Sequence, residues 1–154
     1  MNLKYPVVFE QKGACFVTLE KQGQLRGCIG SILAHRPLIE DLITNARNSA
    51  FSDPRFTPVR KEELSELAIA VSLLSEPQKM SFSSEEDLLS QIKPYEDGII
   101  IKDGYNQAVY LPSVWEQLPD KREFLMSLKM KAGMSAEHFS KTFEASSFHC
   151  EYIK

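Results

Sequence analysis

Two tight turns, each flanked by apolar and β-prone stretches, restrict the fold of this sequence more than any other feature. Asp103-Gly104-Tyr105-Asn106 separates residues 98–102 from residues 108–111, and Asp-Gly dipeptides favour the short turns of β-hairpins. Residues 14–19 and 25–30 flank a second turn-like segment in the same way. Hairpins require antiparallel pairing, so a regular βαβ series with a parallel sheet is excluded.

Helical spacing is clearest after Pro37, which is tolerated in the first turn of a helix. The apolar positions recur at the helical period, at Leu38, Ile39, Leu42, Ile43, Ala46 and Ala50. The polar side chains between them are predicted to lie on the surface, namely Glu40, Asp41, Asn45 and Asn48. The prolines at 54 and 58 end this helix.

Further elements follow from apolar runs and capping residues. Residues 67–74 predict a buried central strand. Ser83 with Glu86 predicts a capped short helix, Asp120 predicts the start of a helix that ends at Gly133, and Ser135 predicts one more short helix. Alternation from residue 148 to residue 153 predicts a terminal strand. The order of elements indicates one α+β domain over residues 1–154 with a mainly antiparallel sheet flanked by helices.

Composition limits the classes of function. The 154 residues are 43% hydrophobic and 25% charged, with a net charge of −3, so nucleic acid is not the expected partner. The basic run is interpreted as a solvated helix face, and it comprises Lys121, Arg122, Lys129 and Lys131. The three cysteines lack metal-ligand spacing, and no metal or cofactor is predicted. No apolar run reaches membrane length and residues 1–6 lack a signal-peptide pattern, so a cytoplasmic location is expected.

The segment Leu25-Arg26-Gly27-Cys28-Ile29-Gly30 places two glycines and a thiol beside an arginine. Glycines let a backbone approach a ligand closely, so these amides could hold an anion, and Arg26 could grip a carboxylate or phosphate. The charge of Arg26 would also favour a reactive thiolate at Cys28. The alternative is structural, with the glycines forming a bulge and Cys28 packed in the core.

Asp53-Pro54-Arg55-Phe56 holds an acidic and a basic side chain on a stiff loop beside an aromatic ring. Two interpretations remain open for it: a rigid corner that faces a ligand, or a turn in which Asp53 and Arg55 bond to the backbone or to each other. His35 would serve as a base for Cys28 only if its loop folded back.

Taken in order, these segments resemble the AMMECR1 domain family, which includes AmmeMemoRadiSam system protein A. Leu-Arg-Gly-Cys-Ile-Gly at 25–30 is the family hallmark; Gly13-Ala14-Cys15-Phe16-Val17-Thr18-Leu19 precedes it and Asp53-Pro54-Arg55-Phe56 follows. The resemblance continues to residues 131–133. Only twelve residues precede Gly13, where members usually carry a leading helix, so the resemblance leads us to expect that this helix is shortened or missing. Ser113 and Trp115 replace a more usual glutamine and small residue.

The resemblance implies a larger part that contains both chain ends, a smaller part inserted in it, and a cleft between them lined by the hallmark. It implies no established reaction. Relatives are often encoded beside a Memo-like protein and a radical SAM enzyme, which implies partnership with both. The site residues expected from it are Cys28 as a candidate catalytic residue and Arg26, Gly27, Gly30, Asp53, Arg55 and Phe56 as ligand-binding residues.

Several functions compete at this point. The first is a cytoplasmic protein that binds an anionic substrate or a partner segment at the hallmark cleft. The second is an enzyme with Cys28 as its reactive thiol, and the third is a nucleic-acid-associated factor. A structural alternative has Arg26 paired with Asp53, holding two halves of the molecule together.

Overall fold

The computed structural model describes residues 6–154 and has an α+β fold with two antiparallel sheets flanked by helices. The helices are α1 Val7–Glu10, α2 Leu38–Phe51, α3 Glu85–Gln91 and α4 Lys121–Lys131, with 3₁₀ helices at Lys61–Glu66 and Pro112–Glu116. The strands are β1 Ala14–Lys21, β2 Gln24–Gly30, β3 Leu67–Leu74, β4 Gln78–Lys79, β5 Gly98–Asp103, β6 Asn106–Tyr110, β7 Glu144–Phe148 and β8 Cys150–Ile153. The chain forms two compact units. One extends to Ser75 and resumes at Glu151, and the other is Glu76–Cys150.

The sheet of the first unit has the order β2-β1-β3-β8, and the predicted hairpin is confirmed as β1 and β2. Gln22 and Gly23 both have positive φ, at 53° and 76°, as a two-residue turn between right-twisted strands requires. The register shifts along the hairpin, because Leu19 pairs with Gly27 but Glu20 pairs with Leu25. Arg26 is therefore the extra residue of a β-bulge, which bends a strand and redirects its side chains.

The predicted helix is confirmed as α2, which packs on one face of this sheet. Its predicted polar surface is correct for the exposed Glu40 but wrong for Asp41 and Asn45. Asp41 is 0% and Asn45 2% exposed, whereas Ile43, assigned to the apolar side, is 54% exposed. The reason is that this face of α2 meets the polar backbone of β1. Asp41 accepts a hydrogen bond from the Cys15 N–H, and Asn45 donates one to the Cys15 carbonyl.

The strand predicted at residues 67–74 is confirmed as β3, but it is not buried along its length. Ala68 and Ile69 are exposed, with Ile69 59% exposed, and Ser72 is the buried residue. Position explains the difference: β1 and β8 pair with both edges of β3, and pairing at both edges does not require that both faces be covered.

The second unit has a sheet of order β4-β7-β5-β6, and its β5–β6 hairpin is confirmed. Helices α3 and α4 contribute to its core, in which Trp115 and Phe124 stack with their centroids 3.7 Å apart. Asp120 caps α4 as predicted, since its side chain accepts the Glu123 N–H.

Three local predictions in this region are wrong. Ser84 rather than Ser83 caps α3, and the segment after Ser135 is not helical. The single terminal strand is two strands, β7 and β8, which belong to different sheets and are interrupted at His149. No helix within residues 6–154 has the length and apolar character needed to cross a bilayer. The signal-peptide prediction concerns mainly Met1–Tyr5, which lie outside the described residues.

Candidate functional site

Arg26 forms a two-point ion pair with Glu63. Its Nε lies 3.0 Å from Oε1 and its Nη2 3.1 Å from Oε2, and the two side chains are 12% and 15% exposed. Lys21 reaches the same carboxylate at 3.1 Å. The hydrogen bonds from Arg26, from the Arg60 N–H and from Lys21 lower the pKa of Glu63 to about 2. Glu63 therefore carries its charge at neutral pH and fixes the plane of the guanidinium.

The third guanidinium nitrogen, Nη1 of Arg26, is buried and has no hydrogen-bond partner. Within residues 6–154, no other buried side-chain nitrogen or oxygen is in this state. The Phe56 ring lies beside this group, with its centroid 6.0 Å from Cζ of Arg26 and 5.5 Å from Cζ of Arg55. Cation–π distances of this size are attractive, so Phe56 contacts both arginines of the candidate site.

Asp53 and Arg55 cover the outer edge of β2 at Cys28. The Asp53 carboxylate accepts the Cys28 N–H at 3.0 Å and the Arg55 guanidinium at 2.8 and 3.0 Å, and Arg55 also donates to the Cys28 carbonyl at 3.4 Å. Asp53 is 5% exposed. The Arg55 hydrogen bond, aided by the Cys28 N–H and opposed by burial, holds the pKa of Asp53 well below its usual range. This pair satisfies backbone groups that an edge strand leaves unpaired.

Cys28 is partly exposed, and its Sγ lies 3.3 Å from the Thr18 hydroxyl, its register partner on β1. Cys15 is a contrasting thiol. It is fully buried, and its burial and the nearby Asp41 carboxylate raise its pKa to about 12. His35 bonds through Nδ1 to the Leu33 carbonyl, and no hydrogen bond joins it to Cys28 among the described residues.

The two hallmark glycines have packing partners within this unit. A Cβ on Gly27 would lie 2.1 Å from the Ser49 carbonyl oxygen of α2, and a Cβ on Gly30 would lie 2.2 Å from the Phe16 ring. Contacts this short exclude a side chain unless a neighbour moves. Close packing therefore accounts for both glycines, and their assignment to a ligand stays a prediction.

The structure brings the two predicted motifs together. Their charged side chains, however, do not form the ion pair that the structural alternative proposed. Arg26 pairs with Glu63, and Asp53 pairs with Arg55, so the proposed Arg26–Asp53 pair is wrong. The Asp53 oxygens are already occupied by the Cys28 N–H and Arg55. Sequence reasoning missed Glu63 and Thr18 as members of this site, because nothing local links Glu63 to an arginine 37 residues away.

The basic residues predicted to form a solvated helix face lie in the second unit and have hydrogen-bond partners there. Lys121, Arg122, Lys129 and Lys131 each hydrogen-bond to an acceptor in the second unit. Lys129 is 0% exposed, so it does not belong to a solvated face as predicted. Within residues 6–154, no three His, Cys, Asp or Glu side chains are grouped to hold a metal ion.

These features define a class: α+β proteins of two antiparallel sheets with the Leu-Arg-Gly-Cys-Ile-Gly motif on an edge strand and Asp-Pro-Arg-Phe folded against it. A family model described as AMMECR1 matches residues 2–153, and the chain belongs to the AMMECR1 family. The predicted family and fold class are confirmed.

Individual relatives agree with this assignment. A protein of Methanothermobacter thermautotrophicus is 42% identical over 135 residues, which are 87% of this chain and 70% of that protein. Protein Mbar_A1807 of Methanosarcina barkeri is 38% identical over 148 residues, 96% of this chain and 73% of its own length. The crystal structure of the uncharacterized protein PH0010 from Pyrococcus horikoshii superposes with a TM-score of 0.88 at 34% identity, covering 96% of this chain and 75% of that one.

Proposed function

We propose that this AMMECR1-family protein is a cytoplasmic protein that binds an anionic substrate, or an acidic segment of a partner, at the site formed by Arg26, Cys28, Asp53, Arg55 and Phe56. We further propose that it acts with a Memo-like protein and a radical SAM enzyme. The observation that supports the binding function is the buried, unpartnered Nη1 of Arg26.

A buried donor without an acceptor is unfavourable by about 1–3 kcal/mol, and more when the group is charged. Glu63 holds the other two nitrogens of Arg26 and fixes the guanidinium in one orientation. An oxygen of a bound ligand would satisfy Nη1. Phe56 is half-buried and lies beside both guanidinium groups, and we expect a movement of its ring to admit the ligand.

The local charges favour a ligand of low charge. Arg26 and Arg55 each already face a carboxylate, from Glu63 and Asp53. A dianionic phosphate would therefore add two negative charges to a balanced site. A single carboxylate suits it better, with Arg55, whose side chain is 55% exposed, as the second cation within reach of solvent.

Native mass spectrometry of the purified protein tests the proposal. We expect a small anion bound to the wild type, its loss from Arg26→Lys, which keeps the charge but not the planar fork, and its retention in Arg47→Lys, an exposed arginine of α2 outside the site. Circular dichroism verifies that each variant is folded.

A pull-down with the Memo-like and radical SAM proteins of the same organism tests the partner form of the proposal, with the same two variants. Equal small-anion occupancy and equal partner binding in folded Arg26→Lys and wild type would overturn the proposal. So would a wild type that binds neither a small anion nor a partner.

A second candidate function is an enzyme that uses Cys28 as a reactive thiol. Its support is the partial exposure of Cys28, with the Thr18 hydroxyl at 3.3 Å and Arg55 bonded to its carbonyl. Iodoacetamide labelling of the folded protein at neutral pH should modify Cys28 and leave Cys15 unmodified. A Cys28 that stays unlabelled until the protein unfolds contradicts this function.

A further inference from the structure

The second unit contains an open cavity of about 630 Å³ that is separate from the hallmark motif. It lies where two segments part. Lys79 pairs with Ser146, and the Met80 N–H still bonds to the Ala145 carbonyl. Beyond Met80 the two segments are no longer paired, and residues 79–83 and 139–144 line the space between them. Its volume is within the usual range of small-molecule sites.

Three phenylalanine rings form the apolar part of this cavity. The centroids of Phe82 and Phe139 are 5.8 Å apart, those of Phe139 and Phe143 are 5.2 Å apart, and those of Phe82 and Phe143 are 6.4 Å apart. Phe143 is buried, while Phe82 and Phe139 are only partly covered. Two partly covered rings at the cavity wall can receive a further aromatic ring in a tilted or edge arrangement.

Cationic groups lie around the same cavity. Lys141 is exposed and has no hydrogen bond or ion pair among the described residues, and Lys79 has only a long, exposed contact to Glu144 at 3.4 Å. The Asp103 carboxylate is a nearby negative charge, but it already accepts hydrogen bonds from the Ser140 and Thr142 hydroxyls and from His138. Lys79 and Glu144 both line the cavity and offset each other, so the exposed Lys141 leaves the rim with a net positive charge.

We propose that this cavity binds an aromatic carboxylate, with the ring placed among Phe82, Phe139 and Phe143 and the carboxylate beside Lys141. The ligand is either a free small molecule or the C-terminal phenylalanine or tyrosine of a peptide, since both offer a ring and a carboxylate. This site is independent of the one around Arg26.

Amide NMR titration of the full chain with phenylacetate tests this proposal, carried to about 10 mM so that a site with a Kd near 1 mM is close to saturation. We expect saturable shifts at residues 79–83 and 139–144. Phenylacetamide has the ring without the charge and should bind about threefold to fivefold more weakly, as the loss of one exposed ion pair predicts. Acetate should produce no saturable shifts there. N-acetylphenylalanine binding more tightly than phenylacetate would identify a peptide terminus as the ligand, and the reverse would identify a free molecule.

Matched variants separate this site from general surface binding. Lys141→Met should remove the preference for phenylacetate over phenylacetamide, and Phe82→Leu should weaken the binding of both. Lys93→Met, at an exposed lysine of the same unit outside the cavity, should change neither. Absence of saturable shifts in the wild type, or equal affinity for the charged and neutral probes, would overturn the proposal. Arg26→Lys should leave phenylacetate binding unchanged, so failure here and failure of the proposed function are distinguishable.

Discussion

The Asp41 carboxylate accepts the backbone N–H of Cys15 at 3.0 Å, and neither residue is exposed to solvent. The same carboxylate accepts hydrogen bonds from Ser31 and Arg36. Burial alone would raise the pKa of Asp41, but these donors outweigh it and lower the pKa instead. A charged aspartate therefore joins α2 to β1 and to the segment after β2.

Removal of this carboxylate should destabilise the first unit strongly. Asp41→Ala leaves the Cys15 N–H and Arg36 without their acceptor, and we expect a loss of about 3–5 kcal/mol in the free energy of unfolding. Urea unfolding measures it. Glu40→Ala, at the exposed neighbouring position, should change stability by less than about 0.5 kcal/mol. Equal effects of the two substitutions would contradict a supporting role for Asp41.

The Arg26–Glu63 pair predicts a pH dependence of stability. The pKa of Glu63 falls from 4.5 to about 2 on folding because Arg26, the Arg60 N–H and Lys21 bond to its charged form. A lowered folded-state pKa gives a contribution that is complete above the unfolded value and is lost as the pH falls toward the folded value. The stability difference between wild type and Glu63→Gln should therefore shrink as the pH falls from 4.5 to about 2.

Urea unfolding at a series of pH values measures this difference, in which the titration of other carboxylates cancels. Glu62→Gln is the control, since Glu62 is exposed and next in sequence. Its difference from wild type should stay near zero throughout. A wild type to Glu63→Gln difference that is constant across this range would show that Glu63 titrates alike in the folded and unfolded chains.

The parts of this fold that the sequence predicted depend on local chemistry. Turns at Gly23 and Gly104 need a positive φ, which the sequence reveals directly. The buried polar face of α2 could not be predicted, because helical spacing does not reveal that Asp41 bonds to a backbone N–H 26 residues away. The break between β7 and β8 was not predicted for a related reason. The alternation of apolar and polar residues continues through His149, although the chain passes there from one sheet to the other.

The residues of the candidate site were also only partly predictable from the sequence. Arg26, Cys28, Asp53, Arg55 and Phe56 were identifiable because unusual residue types are concentrated in two short motifs. They lie together through long-range contacts, namely the hydrogen bonds from the Cys28 N–H to Asp53 and from Arg55 to the Cys28 carbonyl, and the Phe56 ring beside Arg26. The partner of Arg26 was not identifiable, because Glu63 lies in an ordinary acidic turn.

Gly27→Ala tests whether packing alone requires glycine in the hallmark motif. The new Cβ would meet a backbone oxygen of α2 at 2.1 Å, whereas the Cβ of Gly30→Ala would meet the Phe16 ring, which can rotate. Overpacking costs about 1–3 kcal/mol, and we expect Gly27→Ala at or above the top of this range and Gly30→Ala below it. Thermal or urea unfolding measures both. A Gly27→Ala protein with wild-type stability that lost its bound anion would instead assign Gly27 to the ligand.

Lys129 and Glu85 should respond in opposite ways to substitution. Lys129 is fully buried, donates to Glu85 and lies within 6 Å of the Phe139 and Phe143 rings, at 5.9 and 5.8 Å from their centroids. Loss of Glu85 leaves a buried cation without its counter-charge, while a long apolar side chain at 129 removes the need for one.

We therefore expect Glu85→Ala to destabilise the second unit by at least about 1 kcal/mol and Lys129→Met to be neutral or stabilising. Denaturant unfolding compares them, with Glu86→Ala as the control because Glu86 is the adjacent residue and its side chain is 70% exposed. The double variant Glu85→Ala with Lys129→Met should recover most of the stability lost by Glu85→Ala alone, since no unpaired charge remains. If Lys129→Met instead destabilises as much as Glu85→Ala, the ion pair itself contributes net stability and its desolvation is offset by the aromatic rings around it.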